Sequence, residues 1–371
     1  MTVHAQTVIQ WLEQFAPKHL AVEGDRIGLQ IGTLQKKIDK VMVTLDVTED
    51  VVDEAIEQKV GLIIAHHPIL YRPLAQLRTD LPMGKLIEKI IKNDIAVYAA
   101  HTNLDIAKGG VNDWLADKLG LVNQEILSVT YHEPLKKLVV FVPKDHEKQV
   151  REALGKAGAG AIGKYSHCTF RSKGKGTFLP LEGSTPYIGQ KDQLEQVEEL
   201  RIETIFPSGL EKKILQAMFK VHPYEEVAYD IYPLEQTGDA YGLGKTGLLE
   251  QEMSLREFVE HVKKVFDVPF CRVVGNLDSK VKKIGVLGGD GNKYINAALY
   301  KGVDVFVTGD VYFHTAHDAM MSGLQLVDPG HHVEKVMMVG VQRVLQQTAS
   351  EQKVNIEVLI PKAHTEPFTL I

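Results

Sequence analysis

Short β-branched apolar runs alternate with amphipathic helical segments along most of this chain, and that rhythm limits the folds open to it. KVMVTLD (40–46), GLIIAHHP (61–68) and IAVYAAHTNLD (95–105) read as buried strands, the last running into a loop. TEDVVDEAIEQKV (48–60) and MGKLIEKIIKNDI (83–95) read as helices between them, with Thr48 as an N-cap followed by acidic residues. Strands alternating with helices predict βαβ units and a mostly parallel sheet. The rhythm returns later. KKIGVLGG (282–289), VDVFVTGD (303–310) and LQLVDPG (324–330) read as strands. NKYINAALYKG (292–302), HTAHDAMMSG (314–323) and HHVEKVMMVGVQRVLQQ (331–347) read as helices. Residues 1–20 add an amphipathic helix carrying Val8, Ile9, Leu12 and Phe15 on one face.

The middle of the chain has another pattern. Residues 131–158 read as a strand and a helix, 166–189 as alternating β-like stretches, and 194–235 as strand, helix, strand. That is the βαββαβ order of a ferredoxin-like module. The expected class is therefore α/β, with two related α/β halves (1–126 and 239–371) forming one metal-binding domain and a ferredoxin-like α+β domain (127–238) inserted between them.

Composition narrows the class. The 371 residues are 44% hydrophobic and 24% charged, as in an ordinary globular protein of roughly two or three domains. The formal charge of −6 gives no basic field for nucleic acid or an anionic membrane. No apolar run approaches the roughly 18 residues of a membrane span. Only Cys168 and Cys271 are present, and MTVHAQTVIQWLEQF has no secretory-signal pattern, so a reducing cytoplasm is the expected home. The 15 histidines are the informative excess.

Three strand ends carry five of them. His66-His67 closes one run, His101-Thr102-Asn103-Leu104-Asp105 follows another, and Asp328-Pro329-Gly330-His331-His332-Val333-Glu334 follows a third. Each alone has a plain reading, as edge histidines, a turn aspartate or a capped helix turn. Together they bring imidazole and carboxylate to one rim, since ligands of open α/β sheets bind beyond the carboxyl ends of the strands. His331 and Glu334 are i and i+3 and share a helix face. Imidazole and carboxylate donors suit zinc, iron, manganese or cobalt, with zinc the first choice, and the absence of thiolates argues against a closed zinc finger. His66, His67, Asp105, His331 and Glu334 are more donors than one tetrahedral ion needs. Two divalent ions per subunit, bridged by Asp105 or Glu334, would use them and hold an acidified water between them.

These motifs resemble the NGG-interacting-factor-like family, also known as GTP cyclohydrolase 1 type 2 homologues. The matching stretches are GLQIG (28–32), TLDVT (44–48), AHHP (65–68), HTNLD (101–105), TGD (308–310) and GHHVE (330–334). The resemblance implies metal ligands at His66, His67, Asp105, His331 and Glu334, and a ring-like homohexamer with the metals facing an internal cavity. Two positions depart from it. Gly24-Asp25-Arg26-Ile27 stands where the family often has Trp-Asp-Asn, and the last glutamate follows its histidine by three residues rather than four, which leaves His332 as an alternative to Glu334. HPYEEVAYDIYPLE (222–235) resembles trimeric PII and CutA domains, which implies that the insert helps build trimers or gates the cavity. Its His222, Glu225 and Glu226 are either metal donors or edge and subunit contacts.

The expected activity is metal-dependent hydrolysis by a metal-bound hydroxide, with His101 and His314 as the proton-transferring catalytic residues. His317 and the Gly288-Gly289-Asp290-Gly291 turn are further candidates at strand ends, and Cys168 has no partner that would make it a nucleophile. The resemblance points to GTP ring opening; a nucleotide or phosphorylated small molecule is the broader substrate class, because fold and metals do not select a substrate. The alternative is an oligomeric metal-binding regulatory or scaffold protein without turnover.

Overall fold

Every residue of the strands Leu62–Ala65 and Ala96–Ala99 is buried, because each strand has a neighbour on both sides and helices over its faces. The computed structural model describes residues 2–369. Its chain divides into two units: residues up to Thr130 with those from Tyr241 onward, and Tyr131–Ala240.

The first unit holds two sheets built alike. One runs in the order Glu357–Leu359, Lys40–Thr44, Leu62–Ala65, Ala96–Ala99, Gly28–Ile31. Its first four strands are parallel and the last is antiparallel. Helices Glu49–Glu57 and Pro82–Lys92 make its crossovers and bury Val51, Val52, Ile87 and Ile90 against Met42, Ile63 and Val97. Thr48 caps the first of them, its hydroxyl accepting from the Val51 amide at 3.4 Å. The other sheet sets Lys280–Asp290, Val305–Gly309 and Gln325–Asp328 parallel, with Arg272–Val274 and the Lys245–Ser254 part of a longer strand as antiparallel flanks.

Three elements differ from the sequence expectation. Residues 102–106, expected as loop, form the short helix Thr102–Ile106. The helix expected from 331 begins as a 3-10 helix, His331–Lys335, and continues as Val336–Glu351. The strand Glu357–Leu359 belongs to the first sheet, beside Lys40–Thr44, so the C-terminal part of the chain completes the N-terminal sheet.

Helix Val336–Glu351 packs on Ala5–Phe15, on Val111–Lys118 and on strand Lys40–Thr44, while Val111–Lys118 packs on Lys280–Asp290. These helices therefore lie between the two sheets. Their approach depends on Gly340, where a Cβ would lie 2.4 Å from three carbons of the Trp114 ring.

In the second unit, the order is strand, helix Glu147–Ala157, strands Phe170–Phe178 and Glu195–Pro207, helix Glu211–Val221, strand. The strand Glu195–Pro207 pairs antiparallel with both Leu135–Pro143 and Phe170–Phe178. Both helices pack on one face, closing a core of Leu138, Val140, Leu154, Ile202, Phe206 and Met218.

Gly340→Ala forces the Trp114 ring to move. We expect it to destabilise the chain by about 1–3 kcal/mol, the usual cost of overpacking, read as a lower urea midpoint. An unchanged midpoint would contradict the close approach.

Candidate metal centre

The parallel strands of each sheet end at the same edge, so residues just past their carboxyl ends are gathered together. From the first sheet come Asp46, the pair His66 and His67, then His101 and Asp105. From the second come Gly288 and Gly289, Asp310, then His331 and Glu334. The backbone continues the ladder into the site, since the His66 and His67 amides donate to the Thr44 and Leu45 carbonyls at 3.1 and 3.0 Å.

Each imidazole is fixed through Nδ1. His66 donates to the Ala100 carbonyl at 2.9 Å, His67 to Asp46 Oδ1 at 2.7 Å, His331 to Asp310 Oδ2 at 2.6 Å and His101 to Asp25 Oδ1 at 2.9 Å. A carbonyl only accepts, so the Nδ1 of His66 carries its proton and, in the neutral ring, Nε2 presents a lone pair. Outer partners of this kind orient histidines that ligate metals.

The Nε2 atoms meet at one carboxylate. His67 and His331 each place Nε2 3.1 Å from Glu334 Oε2, and His66 Nε2 lies 3.7 Å from the same oxygen and 3.5 Å from Asp105 Oδ1. His66 and Glu334 are 0% and 3% exposed. His66 Nε2 and Asp105 Oδ1 are both buried with no hydrogen-bond partner, a costly arrangement that a shared cation would resolve. Among the described residues, three groups hold donor atoms within 4.8 Å of one another: His66, His67 and His101; His67, His331 and Glu334; His66, Asp105 and Glu334. Glu334 belongs to two of them. The donors present therefore fit divalent ions of the zinc, iron, manganese and cobalt type.

Charge follows geometry. Burial opposes a charge on His67, but its bonds to Asp46 and Glu334 outweigh burial and push the imidazole up to about 10. Burial likewise opposes charge on His331, and Glu334 and then Asp310 push it up to about 9. Burial, helped by the charge of Glu334, pushes Asp105 up to about 6. Glu334 itself is held well below the usual carboxylate range: burial works against this, and the three histidines prevail.

Glycines make room for it. A Cβ at Gly288 or Gly289 would come within 2.9 or 2.8 Å of Glu334 Oε1. The Asn112 side chain joins the two sheets there, donating to the Asp105 carbonyl at 3.0 Å and accepting from the Gly288 amide at 3.0 Å.

The structure brings together His66, His67, Asp105, His331 and Glu334, with His101 alongside. The three-residue spacing from His331 to Glu334 is met by the 3-10 helix, in which i and i+3 eclipse. His332 points elsewhere, its Nε2 3.1 Å from the Thr365 hydroxyl. His314 is exposed and its ring lies beside Phe313, as does that of His317. His222 uses both ring nitrogens on backbone groups, Phe141 O and Tyr224 N. Sequence reasoning missed the partners Asp25, Asp46 and Asp310. The last two are visible as the aspartates that end TLD (44–46) and TGD (308–310).

Fold and site together define an α/β protein with a buried imidazole–carboxylate cluster between two related sheets. The model of the Duf34/NIF3 (NGG1p interacting factor 3) family matches residues 3–367. A Bacillus subtilis (strain 168) protein named GTP cyclohydrolase 1 type 2 homolog is 59% identical over 370 residues, covering 100% of this chain and 99% of the relative. A Halalkalibacterium halodurans protein of the same name is 58% identical over 368 residues, covering 99% of each. The crystal structure of a Bacillus cereus protein related to NIF3 matches with a TM-score of 0.95 at 58% identity, covering 99% of both chains. The chain belongs to the Duf34/NIF3 family.

A cation needs the Nε2 lone pairs that protons hold on His67 and His331 without it. Binding of zinc at pH 7 is expected to release protons, and the apparent affinity to rise with pH until about pH 10, where His67, the second of the two imidazoles to do so, loses its proton. Calorimetry in buffers of different ionisation enthalpy measures this. A buffer-independent enthalpy would contradict the assignment.

Proposed function

We propose that this chain is a metal-dependent hydrolase whose centre takes two divalent ions, zinc first, on His66, His67, Asp105, His331 and Glu334. The observation that carries the reading is the convergence of pre-oriented imidazoles on Glu334 and Asp105, with two buried donor atoms otherwise unsatisfied. Ions held this way would acidify a water near neutral pH and so supply the nucleophile. The residues hold the ions, keep the histidine tautomers fixed and exclude bulk water around Glu334. His101, oriented by Asp25, is suited to move a proton at its Nε2, and Thr102 holds Asp25 in place through its amide at 3.0 Å. His314, exposed beside Phe313, is the weaker candidate for that role.

We further read Tyr131–Ala240 as the inserted ferredoxin-like domain, supported by its βαββαβ order, and the assembly as a homohexamer built from trimers. The substrate class is a nucleotide or other phosphorylated small molecule, with GTP the first compound to try. The expected site of action is the cytoplasm. Among the described residues, no helix is long and apolar enough to cross a membrane.

The test is turnover by metal-loaded protein. Formate release from GTP and cleavage of phosphoesters are assayed for the wild type, His67→Ala and His101→Gln. We expect hydrolysis to disappear in His67→Ala. In His101→Gln it falls about 10²–10⁴-fold, the scale of a lost general acid or base, while metal content is kept. Loss of metal in His101→Gln would make it a ligand instead. No turnover of either class by fully loaded protein would favour the non-catalytic regulatory or scaffold reading.

A further inference from the structure

Among the described residues, the HPYEE motif is in none of the clusters that could hold a metal ion, and its His222 spends both ring nitrogens on backbone groups. It forms one wall of a cavity of about 600 Å³ in the Tyr131–Ala240 unit. Strand Phe170–Phe178 supplies another wall, and the chain from Leu179 to Ile188 covers it. That cover is pinned, with the Thr185 amide donating to Glu225 Oε1 at 2.9 Å and the Asp192 amide to the Pro180 carbonyl at 2.9 Å.

Four rings border the space, those of Phe141, Phe178, Tyr187 and Tyr224. Tyr224 lies 6.2 Å from Phe178 and 6.3 Å from Tyr187, centroid to centroid, with tilted planes. Tyr224 is fixed by its hydroxyl, which donates to Glu199 Oε1 at 2.9 Å. Tyr187 also packs against His146 at 5.4 Å.

The strand beneath is shaped for contact. Gly174 sits opposite Glu199 and therefore on the same sheet face. A Cβ there meets nothing within 4 Å, while one at Gly176 would lie 2.2 Å from Glu199 Oε2. Glycine inside a strand commonly marks the close approach of a ligand or another backbone. Lys173 and Lys175 also border the cavity, but they sit opposite Leu200 and Glu198, so strand alternation turns their side chains to the other face and leaves their backbone towards it.

Charge selects the ligand. Glu199, Glu225 and Glu226 line the cavity, and none has a cationic partner among the described residues. The cation on their side, Arg201, is paired with Glu203 at 3.3 Å. Aromatic faces joined to carboxylates that lack a cationic partner favour a positive, flat guest through cation–π and Coulomb attraction.

We propose that this cavity is a binding site for an organic cation with a flat ring, an aromatic amine or a cationic heterocycle, separate from the metal centre. The test uses two probes of one shape and opposite charge, naphthylmethylammonium and naphthalene sulfonate, in equilibrium dialysis against the full-length protein. The ammonium is expected to saturate one site per chain and to bind at least about tenfold tighter than the sulfonate. Glu199→Gln with Glu226→Gln should weaken it by about tenfold, the scale of a charge-assisted hydrogen bond. Gly174→Val, which fills the floor and leaves the circular dichroism and melting temperature unchanged, should abolish binding. Chelation of metal should leave binding intact, so this site and the hydrolase reading fail independently. Equal binding of the two probes, or ammonium binding untouched by Gly174→Val, would overturn the proposal. So would binding that weakens as protein concentration rises, since a second copy of the chain would then be the occupant.

Discussion

The Glu334 carboxylate, buried and approached by three imidazoles, is the interaction around which the first unit is arranged. A carboxylate withdrawn from water is costly unless it is paired and hydrogen-bonded. Here His67 and His331 meet Oε2 at 3.1 Å, and His66 stands at 3.7 Å from it. Those histidines arrive from different sheets, so the ionised state of one side chain depends on both halves being docked. Around them, Asp46, Asp310 and the Ala100 carbonyl fix the rings by accepting from Nδ1.

Packing sets that convergence. The two sheets point their carboxyl ends at the same space because each is a parallel βαβ array, flanked by one antiparallel strand in the first sheet and by two in the second. The strand Glu357–Leu359 returns to the first sheet after helix Val336–Glu351 has crossed between the two. Asn112 then fixes the Asp105 carbonyl and the Gly288 amide to each other across the junction. Glycines at 288, 289 and 340 let backbone and side chains approach where a Cβ would collide. The second unit uses glycine differently, leaving the floor of its cavity open beside four rings and three carboxylates.

Much of this was legible in the chain itself. The αβ rhythm showed the crossovers, since periodicity and burial act on neighbouring residues. His66, His67, Asp105, His331 and Glu334 could be singled out because each follows a strand-like run. Three things were harder to see. The helical turn at Thr102–Ile106 spans only five residues, too few for a periodic signal. The return of Glu357–Leu359 to the first sheet is a long-range pairing that no local pattern encodes. Asp25, Asp46 and Asp310 act through histidines far away in sequence, and only the endings of TLD (44–46) and TGD (308–310) hinted at two of them. In the second unit, HPYEE carried metal-type residues, but His222 spends both nitrogens on backbone groups and its neighbours face a cavity.

The most direct test of the central claim is metal content per chain by elemental mass spectrometry, for the reconstituted wild type and for Glu334→Gln. The account predicts about two divalent ions per chain in the wild type, as a shared-carboxylate centre requires, and loss of both in the variant. Wild-type protein without stoichiometric metal after reconstitution, or a variant that keeps both ions, would contradict it.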